Sequence, residues 1–270
     1  MKRLIKNAVR LLGFDIRRRR PHHEFSEVEE MGLGHLLVVL FSFIDENEFT
    51  FIQIGANDGL ANDHLWPFLN ARNLRGILVE PQKKPFRVLL ERYAHRNTIS
   101  LHLGAIDVQT GTRTMYRPSD DITSESNAMF LTQLASFDRE KTATALKKYA
   151  RMFQISCPVE QAIVEEIVST ITLTDLMAQH QMKKCDLLII DTEGYDFGII
   201  KTIDFSRSRP TILVYEHIHL TARDRRACWK LLRSNGYRCA ADWMDTVAIQ
   251  ADDLARPLRP HFLSATAAAA

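Results

Sequence analysis

From residue 49 onward the chain alternates short apolar runs with stretches of helical periodicity, and this rhythm restricts the fold more than any other feature. FTFIQIG (49–55), RGILVEP (75–81), ISLHLGAI (99–106), EEIVSTIT (165–172), CDLLIID (185–191) and TILVYEH (211–217) read as strands. Between them lie helical patterns, at about 60–72, around Phe86, Leu89, Leu90 and Tyr93, in TLTDLMAQHQ, in DFGIIKTI, and in ARDRRACWKLLRSNG, which Gly236 ends. Apolar runs separated by helices belong to parallel strands covered on both faces, so the expected fold is α/β with a doubly wound sheet. TRTMYR (112–117) adds a short extra strand, and GYRCAADWMDTVAIQ (236–250) closes the chain as a hairpin.

The rhythm breaks at 118–162, which is polar and then helical through REKTATALKKYARMF, and this segment is expected to form a lid-like helical insertion over the sheet. The remainder divides into a basic segment at 1–23, one domain at 24–258 and a frayed tail at 259–270. With 46% apolar residues in 270, one sizeable core is the expectation.

Residues 1–20 carry eight Lys or Arg against Asp15 alone, which leaves the rest of the chain mildly acidic. Leu4, Ile5, Val9, Leu11 and Leu12 form an apolar stripe beside Lys2, Arg3, Lys6 and Arg10. Such a helix either lies on an anionic leaflet as a peripheral membrane contact or packs on the body. The segment lacks a signal-peptide h-region, and LLVVLFSFI (36–44) is about half the length of a membrane-spanning helix. Cys157, Cys185, Cys228 and Cys239 follow no disulfide or zinc spacing and are expected to stay reduced. These features point to a cytoplasmic protein, and an acidic body without a basic aromatic stripe argues against nucleic acid as a partner.

In an open parallel sheet, ligands bind at the carboxyl ends of the strands, and the first βα turn carries the glycines. Here that turn is Gly55, Ala56, Asn57, Asp58 and Gly59. It matches neither GxGxxG nor the P-loop, and Asp58 would repel a phosphate. The turn suits a ligand bearing an amino group and hydroxyls, such as the methionine part of S-adenosylmethionine. Glu80, ending the second strand, is placed to accept ribose hydroxyls, although a solvated strand end or an ordinary tight connection is the plainer alternative.

Acids also crowd the later strand ends. Asp191 and Glu193 follow LLII, with Gly194 turning the chain, and Glu216, His217 and His219 close the next strand. Transfer of a methyl group to a hydroxyl needs positioning and a base. His217, oriented by Glu216 or Asp191, is the preferred base, with His219 as its competitor. The alternatives are a helix cap at Asp191 or Thr192, a merely hydrogen-bonded histidine, or a divalent cation held by Asp191, Glu193, Glu216 and His217. The expected site is metal-free.

FIQIGANDG, LVEPQ, LHLGAI, VSTITLTDLM, LLIIDTEGYDFGIIKTIDF and VYEHIHL, in this order, resemble the FkbM-type methyltransferases over about residues 49–250. The resemblance implies a class I, Rossmann-like fold with seven strands, the last antiparallel, and S-adenosylmethionine-dependent O-methylation of a sugar, surface glycan or related metabolite. It also implies that Gly55, Ala56, Asn57, Asp58 and Gly59 form the cofactor loop, that Glu80, Pro81 and Gln82 serve the ribose and adenine, that Ala105 and Ile106 flank the adenine, and that Asp191, Glu193 and Gly194 lie near the methyl group. ASFDRE (135–140) resembles a segment of one branch of the family, where Ser136 and Asp138 either touch the acceptor or, in the case of Ser136, cap a helix. His64 stands where that branch has proline. The rival readings are an NAD-dependent nucleotide-sugar oxidoreductase or epimerase, an N-methyltransferase, and a non-catalytic membrane-associated scaffold.

Overall fold

The computed structural model describes residues 45–250, apart from 46, 61–62, 124–128, 156–157 and 242–243. The amphipathic segment at 1–23, the apolar run at 36–44, Cys157 and the tail at 259–270 therefore lie outside the described residues.

Seven strands form the main sheet: β1 (Thr50–Ile54), β2 (Arg75–Glu80), β3 (Ile99–Leu103), β7 (Leu187–Ile190), β8 (Ile212–Glu216), β9 (Tyr237–Ala241) and β10 (Asp245–Gln250). Their order is β3-β2-β1-β7-β8-β10-β9, and β10, the last strand among the described residues, slots antiparallel between β8 and β9. That is the seven-stranded class I arrangement expected from the sequence. The order reverses between β1 and β7, so their carboxyl ends open the crevice of the sheet.

The central strands are apolar on both sides because each side is covered. Ile52, Ile54, Ile77, Val79, Leu188, Ile190, Leu213 and Tyr215 pack on one face, with side chains of α5 (Leu173–Gln179), α6 (Asp196–Ile200) and α7 (Ala222–Ser234). Their alternates Phe51, Leu78, Leu187, Ile189, Ile212 and Val214 pack on the other face, with Leu69 of α1 (Trp66–Ala71) and Leu89 and Tyr93 of α2 (Lys83–Tyr93). This division of neighbouring residues between two cores is the period-2 geometry of a strand.

Three boundaries differ from the sequence reading. The first helix covers six residues rather than the whole of 60–72, because Pro67 occupies its first turn and Asp63 instead holds Leu65 N at 2.7 Å. ISLHLGAI splits at Gly104, where a Cβ would meet the His102 ring at 2.9 Å, so Ala105–Ile106 forms a separate strand, β4. EEIVSTIT does not continue the main sheet. It lies within β6 (Ile163–Ile171), which pairs with β4 and with β5 (Gly111–Pro118) in a three-stranded sheet ordered β4-β6-β5.

Between β5 and β6 run α3 (Asp120–Thr123), a 3-10 helix (Met129–Leu134) and α4 (Arg139–Met152). Leu131, Leu134, Leu146 and Ala162 give this segment a small core of its own. Among the described residues no helix is long and apolar enough to cross a membrane.

Candidate active site

A cavity of about 840 Å³ opens at the carboxyl ends of β1, β2, β7 and β8, a volume in the range of small-molecule sites. One wall is the turn after β1. Gly55 has φ +85°, and an added Cβ there would sit 1.8 Å from the Asp191 carbonyl oxygen, so only glycine lets this turn run against the end of β7. Gly55 N and Ala56 N both donate to the Val79 carbonyl, at 2.9 and 3.0 Å.

Glu80 is 3% exposed and braces the turn from below. Its two oxygens accept from Asn57 N at 2.9 Å and from Gln82 N at 2.8 Å, and each keeps acceptor capacity for a ligand. Burial outweighs these hydrogen bonds and pushes its carboxyl up to about 7. Gly55, Ala56, Asn57, Glu80, Pro81, Gln82, Ala105, Ile106 and Asp191 all line the cavity.

Asp58 and Gly59, by contrast, do not line it. They hold the turn to α2: Asp58 O accepts from Arg92 Nε at 3.2 Å, Gly59 O accepts from Tyr93 OH at 3.1 Å, and a Cβ on Gly59 would meet Leu89 and Tyr93 at 2.7 Å. The second glycine of the motif thus serves close packing.

The opposite wall is acidic. Asp191, Glu193, Glu216 and His219 line the cavity, and His217 does not. His217 is buried, its Nδ1 lies 3.0 Å from Thr246 Oγ1, and its main-chain N donates to the Met244 carbonyl. This corrects the pairing of Glu216 with His217, since neighbouring residues at a strand end point to opposite sides. His219 takes the place instead, its Nε2 3.2 Å from Glu193 Oε2 and 3.6 Å from Glu216 Oε2.

Neither Asp191 nor Thr192 caps α6. Its N-cap is Tyr195, which makes no side-chain cap bond, while Thr192 Oγ1 donates to Asp196 Oδ2 at 3.0 Å. Ser136 is not a cap either: Asp138 caps α4 by accepting from the amides of Glu140 and Lys141. Ser136 is buried beside β5, its amide donating to the Tyr116 carbonyl, and it lines the cavity.

Crowding of these acids governs their protonation. Burial, with Asp191 and Asp196 as like charges, pushes Glu193 up to about 8. The same causes hold Glu216 well above the usual carboxylate range. Asp191 is solvent-accessible on the cavity wall, yet the protein packed round it and the charge of Asp63 raise its carboxyl as well. His219 is shifted the other way, by burial and then by Lys148 and Lys141, so its imidazole is neutral near pH 7.

Several lining residues escaped the sequence reading, among them Gln53, Asp63, Phe137, Lys148, Tyr149 and Tyr195. Gln53 carried a signal, being the one polar residue inside an apolar strand. Gln53 and Asp63 line the cavity, and their Oε1 and Oδ2 are buried with no hydrogen-bond partner among the described residues, which leaves two acceptors unsatisfied beside it. Tyr195 OH donates to Asp107 Oδ1 at 2.5 Å, and Arg113, paired with Asp107 at 2.9 Å, stacks on the rings of Phe137 and Tyr195. This cluster ties the acidic turn to the small sheet and to the segment leading into α4. A second cavity of about 440 Å³ shares Ser136, Lys148, Tyr149, Glu193 and His219 with the first and continues along α4.

Comparison with known proteins bears on this geometry. No curated protein matches the sequence. The FkbM methyltransferase of Methylobacillus flagellatus KT superposes with a TM-score of 0.44 at 12% identity, over 76% of this chain and 44% of its own. This chain therefore spans less than half the length of that relative. The N-terminal domain of human METTL16 in complex with SAH superposes with a TM-score of 0.40 at 11% identity, over 92% of this chain and 80% of its own. The methyltransferase FkbM domain matches residues 53–239, a stretch that holds the glycine turn, Glu80 and the acidic wall. On that match the chain belongs to the FkbM family of S-adenosylmethionine-dependent methyltransferases.

Proposed function

We propose that the protein methylates a hydroxyl of a sugar, a surface glycan or a related metabolite. The observation that carries this reading is the acidic wall: Asp191, Glu193, Glu216 and His219 line the large cavity, and Glu193 and His219 also line the second one along α4. Carboxylates and a neutral imidazole suit the hydroxyls of a sugar, and a cytoplasmic location is part of the same proposal.

S-adenosylmethionine, when bound, supplies an electrophilic methyl group on a sulfonium. The residues present fit it. The unpartnered Gln53 Oε1 and Asp63 Oδ2 would hold its ammonium group, Glu80 its ribose hydroxyls, and Ala105 and Ile106 its adenine. Asp191 stands between this half and the acceptor half. The acceptor hydroxyl loses its proton at the corner of Glu193, Glu216 and His219, so His219 rather than His217 supplies the imidazole. Holding the hydroxyl in line with the methyl group is the larger contribution, and removal of its proton adds ~10²–10⁴-fold. A methyltransferase family disfavours the NAD-dependent reading, which also lacks its glycine motif.

The test is calorimetric titration of S-adenosylhomocysteine into the full chain beside Glu80→Ala, followed by transfer of labelled methyl to a panel of sugars and glycan extracts. Micromolar binding lost in the variant, with label in a hydroxyl-bearing acceptor, is the expected outcome. Label found only on amino groups would replace O-methylation by N-methylation.

A further inference from the structure

A methyl-transfer site does not by itself require so many acids in one corner. Glu193, Glu216 and His219 each offer a ligand atom, and the three atoms lie within 4.8 Å of one another. Glu216 is 6% exposed and lines the cavity, and its Oε2 has no hydrogen-bond partner among the described residues. His219 Nε2 is 3.6 Å away, too long for a hydrogen bond. A carboxylate oxygen buried without a donor is costly, and it marks a place where something is missing. The cationic groups nearby are Lys141, whose Nζ donates to the Gly194 carbonyl at 3.0 Å, and the exposed Lys148. Five acids among the described residues, Asp191, Glu193, Asp196, Glu216 and Asp245, stand against these two.

Glu193 comes from the turn after β7, Glu216 from the end of β8 and His219 from the turn that follows. Two carboxylate oxygens and one imidazole nitrogen thus form one face of a coordination shell whose other face is open to the cavity. We propose that Glu193, Glu216 and His219 bind a divalent cation whose open positions take two neighbouring oxygens of the acceptor. The proposal rests on the methyl-transfer reading and narrows it, because an acceptor held this way is a vicinal diol or a hydroxyl beside a carboxylate.

The cation makes the coordinated hydroxyl more acidic. The O–H bond breaks, the proton leaves to solvent through the open cavity, and the oxygen's electron pair forms the new O–CH₃ bond. The methyl–sulfur bond breaks with its pair remaining on sulfur, so no oxidant or reductant is needed. His219 is then a ligand, and the corner works as a Lewis acid.

The experiment is titration of Mn²⁺ into the full chain, with and without S-adenosylhomocysteine, followed by calorimetry and by loss of the free-ion EPR signal. One equivalent should bind. Glu216→Gln and His219→Gln should each weaken Mn²⁺ on the order of tenfold or more, while S-adenosylhomocysteine affinity, which also reports folding, stays within about twofold. Glu91→Gln, on the exposed side of α2, should change neither. Absence of Mn²⁺ and Zn²⁺ binding at millimolar concentration, or binding that both variants leave unchanged, would overturn the cation while S-adenosylhomocysteine still binds. Failure of the wild type to bind S-adenosylhomocysteine would instead remove the methyl-transfer reading underneath it.

Discussion

The two walls of the cavity are built on opposite plans. On the glycine-turn side, nearly every polar group near the backbone is already satisfied: Gly55 N and Ala56 N by the Val79 carbonyl, Asn57 N and Gln82 N by Glu80. On the acidic side, Glu216 Oε2 and, behind the wall, Asp196 Oδ1 have no hydrogen-bond partner among the described residues, and Glu193 sits at φ +51°. The first wall is preorganised by its own backbone, with Gln53 Oε1 and Asp63 Oδ2 beside it as the acceptors left without a partner among the described residues. The second crowds acids that hold their protons above the usual carboxylate range beside a left-handed residue, and its electrostatics are completed by what binds there. A shape common to all substrates can be fixed in the main chain, whereas chemistry is kept in side chains that remain reactive.

The contrast is most exposed to failure at the two histidines. His219→Gln should lower methyl transfer to a responsive glycan extract by ~10²–10⁴-fold with S-adenosylhomocysteine affinity unchanged. His217→Gln should leave transfer within a few-fold and cost about 1 kcal/mol of stability through its Thr246 contact. Equal losses in both variants would erase the distinction between the wall and the strand behind it.

Gly55→Ala attacks the preorganised side. A Cβ 1.8 Å from the Asp191 oxygen, at φ +85°, should lower stability by about 2–4 kcal/mol in denaturant unfolding and abolish cofactor binding. Gly59→Ala meets the far ends of Leu89 and Tyr93 rather than backbone, so it should be destabilising but retain binding.

Glu80→Gln keeps the shape and removes the charge, and should weaken S-adenosylhomocysteine on the order of 10–100-fold. The smallest expected effect is its pH dependence. Burial raises the Glu80 carboxyl from 4.5 to about 7 in the free protein, and the ribose hydroxyls favour the anion. Ligand binding is therefore coupled to proton release below pH 7, and affinity should climb from pH 5.5 and level off above about 7. Stability of the free protein runs the other way: the contribution of Glu80 is fully present below about 4.5 and is lost as pH rises through about 7. Calorimetry in paired buffers, wild type against Glu80→Gln, reads both, and a pH-independent difference would show that Glu80 is ionised throughout.

The sequence carried the preorganised wall better than the acidic one, for physical reasons. A glycine at a positive φ and an acid closing a buried strand are local features, visible within a few residues of chain. Asp58 and Gly59 were read as ligand contacts because their backbone requirement is legible while the partner that imposes it, α2, lies about thirty residues downstream. The choice between His217 and His219 depended on where β8 ends: one residue of alternation sends His217 towards Thr246, and the turn after it brings His219 back. β6 was legible as a strand, but its sheet was not, since pairing with β4 and β5 is decided across the chain rather than along it. Gln53 stands out in the sequence as a polar residue inside an apolar strand, but its role and that of Asp63 became visible only once burial showed acceptors without partners among the described residues.

The close approach of Gly55 to the Asp191 carbonyl also has a meaning for variation. The turn that serves the cofactor and the turn that carries the acids touch backbone to backbone, so neither can be remodelled alone. A combinatorial library that randomised residue 55 together with 191–194 should return glycine at 55 in every active clone, while tolerating change at 192. Relaxing the acidic turn to take a new acceptor would have to proceed through side chains and through α4, leaving this joint as the fixed hinge point around which specificity drifts.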